Sequence, residues 1–215
     1  MTGLALFDLD DTLIDRTAGF QIWTERFLDE RSLPVGEASW LMERDRRGHT
    51  PREVLFAEIR ERYGLADRVE DLVAAFYDAI GECIPPVDEA TRDALSRLRE
   101  RGWRIGVVTN GSPHQGAKVA ATGLEPFVDA VVVSEVVGVR KPDRRIFETA
   151  AAMCRCELDG WMVGDTADAD IAGGIAAGLA TAWIDLGRTW SEAAYAPWCT
   201  VSSTAEAVSV MLSES

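Results

Sequence analysis

The chain has 215 residues, 47% apolar and 27% charged, a composition that excludes disordered, fibrous and low-complexity classes. Its net charge is −14, from 36 acidic against 22 basic residues, so a polyphosphate backbone would be repelled and nucleic-acid binding is not expected. Only two of the basic residues are lysines, Lys118 and Lys141, which makes the setting of each worth attention.

Residues 4–9, Leu-Ala-Leu-Phe-Asp-Leu, predict a short buried strand. No basic segment precedes it and no run of about 18 apolar residues follows, so neither a signal peptide nor a membrane span is expected. Residues 16–83 then carry helical periodicity only. Phe20, Trp23, Phe27 and Leu28 mark one apolar face, and Trp40, Leu41 and Met42 sit in a second helix. Thr50-Pro51-Arg52-Glu53 predicts a capping box opening a third helix that stops at Gly64. Val69, Leu72, Val73, Phe76 and Ile80 mark a fourth, and Pro85-Pro86 ends the block.

Beyond Asp88 helices and strands alternate. A helix closed by Gly102 precedes a strand at 105–108. A helix opened by Ser112-Pro113 precedes a strand at 131–133, and a helix near 143–155 precedes a strand at 161–163. A small-residue helix to Gly178 leads to a strand at 181–184. Residues 187–202 look irregular, with Trp190 and Trp198 packing them onto the sheet edge, and Ser203 caps a last helix. Trp103, Trp161 and Trp183 are expected in the core. This alternation predicts an α/β fold, a Rossmann-like parallel sheet built from 1–14 and 89–215, with an α-helical cap inserted at 15–88. Cys154-Arg-Cys156 is too tight for a zinc pair, so the four cysteines are expected as free thiols in a reducing cytoplasm.

Ligands of open α/β sheets bind beyond the carboxyl ends of the strands. There the sequence offers Asp8-Leu-Asp10-Asp11-Thr12, Thr109-Asn110-Gly111, Lys141-Pro142 and Asp165-Thr-Ala-Asp168-Ala-Asp170. Crowded carboxylates repel, by about 4 kcal/mol for two charges ~4 Å apart at an effective dielectric near 20. A lysine and a divalent cation are the natural remedy, and hard oxygen ligands suit Mg²⁺.

In this order and placement the residues resemble the haloacid dehalogenase (HAD) superfamily, phosphatase branch, with a C1-type helical cap; the resemblance covers nearly the whole chain and all four motifs. It implies that Asp8 is the nucleophile and Asp10 the general acid/base. It implies that Thr109, Asn110 and the Gly111 amide hold the transferring phosphoryl group, and that Lys141 balances charge. Mg²⁺ would be held by the carboxylates of Asp8, Asp165 and Asp170 and by the Asp10 main-chain carbonyl. Asp168, between the matched acids, is expected as a solvated or capping carboxylate, and His114 as surface at a helix start.

The implied function is Mg²⁺-dependent hydrolysis of a small phosphomonoester through an aspartyl-phosphate, by a cytoplasmic monomer or homodimer whose partner is a small phosphorylated metabolite. A phosphomutase or phosphotransferase of the same fold, a haloacid dehalogenase and a non-catalytic binding protein are the alternatives. Dehalogenases lack an acid two residues after the nucleophile, because a halide leaves without a proton. Phosphonate-cleaving relatives use a cap lysine, and residues 15–88 contain none. Within the insert, Arg16, Phe20 and Arg47 are the expected substrate contacts; Arg47 lies in the Arg44-to-His49 basic cluster.

Overall fold

The computed structural model describes residues 3–214. The chain folds as two compact units, one formed by the residues up to Ile14 together with those from Pro86 onward, the other by Asp15–Pro85. The first is α/β and the second is helical.

In chain order, strand β1 is Leu4–Phe7 and helices α1 to α4 are Arg16–Glu30, Ala38–Asp45, Arg52–Tyr63 and Val69–Cys83. Helix α5 (Glu89–Glu100), strand β2 (Arg104–Thr109), helix α6 (His114–Ala121), strand β3 (Ala130–Val133) and the single turn α7 (Ser134–Val137) follow. Then come α8 (Arg144–Met153), β4 (Gly160–Gly164), α9 (Gly173–Ala177), β5 (Ala180–Ile184), β6 (Cys199–Val201) and α10 (Thr204–Ser213).

All six strands are parallel, in the order β3-β2-β1-β4-β5-β6. Strand β1 is Leu-Ala-Leu-Phe, buried at every position, as a strand covered on both faces must be. Helix α8 packs on β1, β2 and β3 and against α9, while α5 packs on β2 and against α10. Leu4, Leu6, Val108, Val132, Ile146, Phe147 and Met162 form the core under α8. Phe7 is level with Val107 on β2 and Val163 on β4, so the chain leaving β1 emerges at the crevice between two strands whose connections diverge.

The helical unit buries an aromatic cluster. Trp23 stands edge-on to Phe56 and Phe76 at 5.6 and 5.0 Å and stacks on Phe27 at 5.0 Å. Burial contributes roughly 1.5–3 kcal/mol per large apolar side chain. In the same unit the Arg16 guanidinium forks onto both Asp45 oxygens, and Arg52 Nη1 donates to Asp45 Oδ1 at 2.7 Å.

Several expectations need correction. Residues 187–202 are not wholly irregular: Cys199–Val201 pairs with β5 as the sheet's edge strand, too short to show a period in sequence. Thr50 does not cap α3; its hydroxyl donates to the Arg44 carbonyl at 2.6 Å, and α3 starts after Pro51 without a side-chain cap. The small-residue helix is a π-helical turn, Ala167–Ala172, followed by the short α9. Trp198 is 65% exposed and meets Trp161 edge-on, while Trp190 does pack against Trp183.

Candidate active site

Beyond Phe7 the backbone doubles back. The Leu9 carbonyl accepts the N–H groups of Leu13 and Ile14 at 3.0 and 3.1 Å, and Asp11 takes a left-handed conformation, φ 58°, to allow it. The Asp8 N–H donates to Val163 on β4 at 2.9 Å. These bonds hold Asp8 and Asp10 at the strand mouth.

Asp8 lies against Lys141, with Nζ 2.5 Å from Oδ1. The same ammonium is 2.7 Å from Asp170 Oδ1, an ion pair by distance without hydrogen-bond alignment. Lys141 is in turn held by Asn110. The carboxamide donates to the Lys141 carbonyl at 3.0 Å and accepts from the Lys141 N–H at 2.9 Å. Asn110 therefore acts on the lysine backbone with its side chain, a task the sequence did not suggest.

Asp170 is fully buried and accepts from the Thr166 N–H at 3.0 Å. Its carboxylate lies over Gly164: a Cβ there would stand 2.3 Å from Asp170 Cγ, so only glycine admits it. The π-helical turn brings Asp170 to this place; such turns are frequent at functional sites. The Asp165 carbonyl accepts from Trp183 Nε1 at 2.9 Å and from Arg188 Nη2 at 2.6 Å, and the same arginine nitrogen is 3.2 Å from Asp165 Oδ2. Asp168, by contrast, points away to accept from the Tyr195 hydroxyl at 3.0 Å.

One carboxylate oxygen from each of Asp8, Asp165 and Asp170 lies within 4.8 Å of the other two, and all three residues are buried. Burial pushes the Asp8 carboxyl up to about 8; Lys141 opposes this, and the charges of Asp170 and Asp165 add to it. Burial would lower the Lys141 ammonium, but Asp170 and Asp8 outweigh it and hold it above the ordinary lysine range. The three buried carboxylates, hard oxygen donors with one buried ammonium beside them, fit Mg²⁺.

Asp10 has partners that sequence reasoning missed. Lys118 Nζ donates to both of its oxygens at 2.8 and 2.9 Å, and Gln115 Nε2 donates to Oδ2 at 2.9 Å. Gln115 also donates to Thr109 Oγ1 at 2.7 Å. The Gly111 N–H donates to Ser134 Oγ at 3.0 Å. The one available signal was the scarcity of lysine: both lysines of the chain pair with an aspartate of the first strand's loop. His114 begins α6, exposed, with its Nδ1 3.1 Å from Ser112 Oγ.

The three expected substrate contacts of the insert are placed within the helical unit. Arg16 is 4% exposed and bound to Asp45, with its guanidinium 4.9 Å above the Phe20 ring. Arg47 is half-buried in a left-handed turn, Arg46–Gly48, that Asp45 Oδ2 closes by accepting the Gly48 N–H at 2.9 Å.

A parallel Rossmann-like sheet whose first strand ends in an acidic cluster around one buried lysine marks a class of hydrolase. The chain belongs to the haloacid dehalogenase-like hydrolases, whose family model matches residues 2–178. It is 40% identical over 137 residues to the pyrimidine 5'-nucleotidase YjjG of Escherichia coli, a match covering 61% of this chain and 59% of that protein, under two thirds of its length. It is 30% identical over 199 residues to a glyceraldehyde 3-phosphate phosphatase of Pyrococcus abyssi, covering 87% of this chain and 83% of that one. Among solved structures, the magnesium-bound HAD-hydrolase YfnB of Bacillus subtilis superposes with a TM-score of 0.78 at 22% identity over 98% of each chain. The L-2-haloacid dehalogenase of Xanthobacter autotrophicus gives 0.75 at 18% identity over the full length of both. These last two likenesses are of fold. Among the described residues no helix is long and apolar enough to cross a membrane.

Proposed function

We propose that the protein is a Mg²⁺-dependent phosphatase that hydrolyses a small phosphomonoester, such as a sugar phosphate or nucleotide, through an aspartyl-phosphate on Asp8. Relatives named as a pyrimidine 5'-nucleotidase, a glyceraldehyde 3-phosphate phosphatase and a phosphoserine phosphatase support the reaction class. The observation that carries it is the pairing of two different carboxylates on one loop: Asp8 inside the acidic cluster beside Lys141, and Asp10 outside it, bridged to Thr109 through Gln115.

Asp10 enters the cycle as the neutral acid: Asp8 attacks phosphorus, the ester P–O bond breaks, and the leaving oxygen takes the Asp10 proton, leaving the carboxylate that Lys118 and Gln115 hold. Water then attacks phosphorus, gives a proton to Asp10, and the Asp8–phosphorus bond breaks, releasing phosphate. Lys141 balances the charge of Asp8 and of the phosphoryl oxygens. The Thr109 hydroxyl accepts from Gln115 and so keeps its own proton to donate to a phosphoryl oxygen. Asn110 positions Lys141, and the Gly111 amide would exchange its bond to Ser134 Oγ for one to a phosphoryl oxygen. Asp8, Asp165 and Asp170, with the Asp10 carbonyl, would hold Mg²⁺, which supplies neutralisation of the carboxylates and of the phosphate. In the helical unit, Arg47 is proposed to read the rest of the substrate, on a turn closed by Asp45, which Arg16 holds.

Phosphate release from a panel of phosphometabolites, with Mg²⁺ or with EDTA, tests this for the wild type and Asp8→Asn. Metal-dependent release that Asp8→Asn abolishes supports the reading. No release from any compound, with Mg²⁺ bound normally, favours a phosphotransferase or a non-catalytic binder.

A further inference from the structure

We propose that Gln115 and Lys118 are positioning residues that clamp the Asp10 carboxylate and tie it to Thr109, so that the proton donor and the phosphoryl-binding hydroxyl are held as one unit. The inference rests on the phosphomonoesterase reading above.

Gln115 and Lys118 are three residues apart on α6 and so share one face of that helix. Both are nearly buried, at 5% and 8% exposure. An ammonium is rarely placed there unless it is paired. Lys118 contributes two of the contacts to Asp10 and Gln115 the third, from positions more than a hundred residues away in sequence. Gln115 uses both hydrogens of its amide nitrogen, one on Asp10 Oδ2 and one on Thr109 Oγ1. The loop leaves room for this: a Cβ on Gly111 would come 3.0 Å from the Gln115 Cγ. Together the three contacts fix the plane of the carboxylate, where a single partner would let it rotate.

A bond that only held α6 to the first loop would act alike on every substrate. A positioning bond acts through Asp10, so its loss falls on esters whose leaving oxygen needs a proton. The test compares kcat/KM for two esters in saturating Mg²⁺: the alkyl phosphate hydrolysed fastest in the metabolite panel, and p-nitrophenyl phosphate, whose aryl oxide leaves without protonation. That quantity reports steps up to cleavage of the P–O bond. Asp10→Asn sets the reference for lost proton donation. Lys118→Met and Gln115→Leu keep most of the side-chain stem without the donors, and Lys118→Arg keeps the charge. Thermal unfolding of each checks that it folds.

The alkyl-to-aryl ratio is expected to fall roughly 10- to 100-fold in Lys118→Met and in Gln115→Leu, the range of a misplaced catalytic group. It should move in the same direction as in Asp10→Asn and be partly restored in Lys118→Arg. Equal losses on both esters, with the ratio kept, would show a structural bond and overturn the proposal. A rise in alkyl-ester turnover in Lys118→Met would overturn it too, since the lysine would then be holding Asp10 away from its work. An unchanged ratio in Asp10→Asn removes the proton-donor role and this inference with it. A wild type inactive on both esters overturns the phosphomonoesterase reading itself.

Discussion

The two units each bury a cluster of charges, and the two clusters are unbalanced in opposite senses. In the helical unit one carboxylate, Asp45, meets two guanidinium groups, those of Arg16 and Arg52. Both its oxygens are hydrogen-bonded, and the surplus positive charge lies over aromatic faces: Arg16 above Phe20, and Arg52 5.0 Å from the Phe76 centroid. Burial alone would raise the Asp45 carboxyl, but the two arginines more than offset it and hold it below the usual range. In the α/β unit three carboxylates meet one buried ammonium, the exposed Arg188 stands 3.2 Å from Asp165, and the Asp8 carboxyl is pushed up to about 8. The first cluster is complete in itself. The second has more carboxylates than cations, an excess that the proposed Mg²⁺ would offset.

The sharpest test of this contrast is Asp8→Asn. Activity should fall by about 10⁴-fold or more, as when a nucleophile is removed. Stability at neutral pH should rise, because the carboxamide lies buried without having to keep a proton that the unfolded chain has lost; each kcal/mol of relief would raise Tm by about 2–4 °C in a protein of this size. Loss of activity together with a lower Tm would mean that the Asp8–Lys141 pair holds the fold, and the contrast would fail.

The matching change in the other unit is Asp45→Ala, which strands two buried guanidinium groups. Its cost should be about 3–5 kcal/mol, the range for removing one partner of a buried ion pair. Hydrogen exchange over 16–63 should accelerate, because Asp45 also closes the turn at Gly48. A cost under about 1 kcal/mol would show that the aromatic faces alone carry the arginines. Asp45 also sets a pH limit. Its folded value lies below its ordinary one, so its stabilisation is full above the ordinary carboxylate range and is lost as pH falls through the folded value.

Asp8 has the opposite linkage. Its folded value, about 8, lies above its ordinary 3.8, so between those limits the folded protein keeps a proton that the unfolded chain has lost. Metal-free protein should therefore lose stability as pH rises from about 4 to 8, and Asp8→Asn should flatten that slope. Added Mg²⁺ should raise Tm more at pH 8 than at pH 5, since it must displace the proton to bind. The gain at saturation is about 2.7 kcal/mol when the free ion is 100-fold above its Kd. Thermal scans at the two pH values, with EDTA and with Mg²⁺, check this; an equal gain at both would mean that Asp8 takes no part in the metal site.

Five strands were readable because each is a short, mainly apolar run, and their carboxyl ends locate a crevice before any side chain is seen. That placed Asp8, Lys141, Asp165 and Asp170 on one rim. Partnerships between distant residues were not readable. Lys118 and Asp10 are 108 positions apart, and which face of α6 meets the first loop depends on how that helix docks. Arg16 looked like a substrate contact because it follows the first motif; its bond to Asp45, 29 residues on, appears only when α1 and α2 are packed. Thr50 carried a capping pattern, but the left-handed turn before it presents the Arg44 carbonyl to its hydroxyl instead.

The smallest expected effect separates two carboxylates that sequence alone presents as near equivalents. Asp168 and Asp170 stand two residues apart in one π-helical turn. Asp170 is fully buried against Lys141, while Asp168 is exposed and accepts from the Tyr195 hydroxyl. Asp168→Asn should change stability by no more than about 0.5 kcal/mol, the range of surface substitutions. It should leave the Mg²⁺-induced rise in Tm intact, whereas Asp170→Asn should remove most of it. The carboxamide introduced by Asp168→Asn can still accept from Tyr195, so the variant tests charge alone. If Asp168→Asn weakened the response to Mg²⁺ as much as Asp170→Asn, the ion would be drawn by the summed negative charge of the turn. Unequal responses would instead tie Mg²⁺ to the buried set of Asp8, Asp165 and Asp170, where the missing positive charge has a definite address.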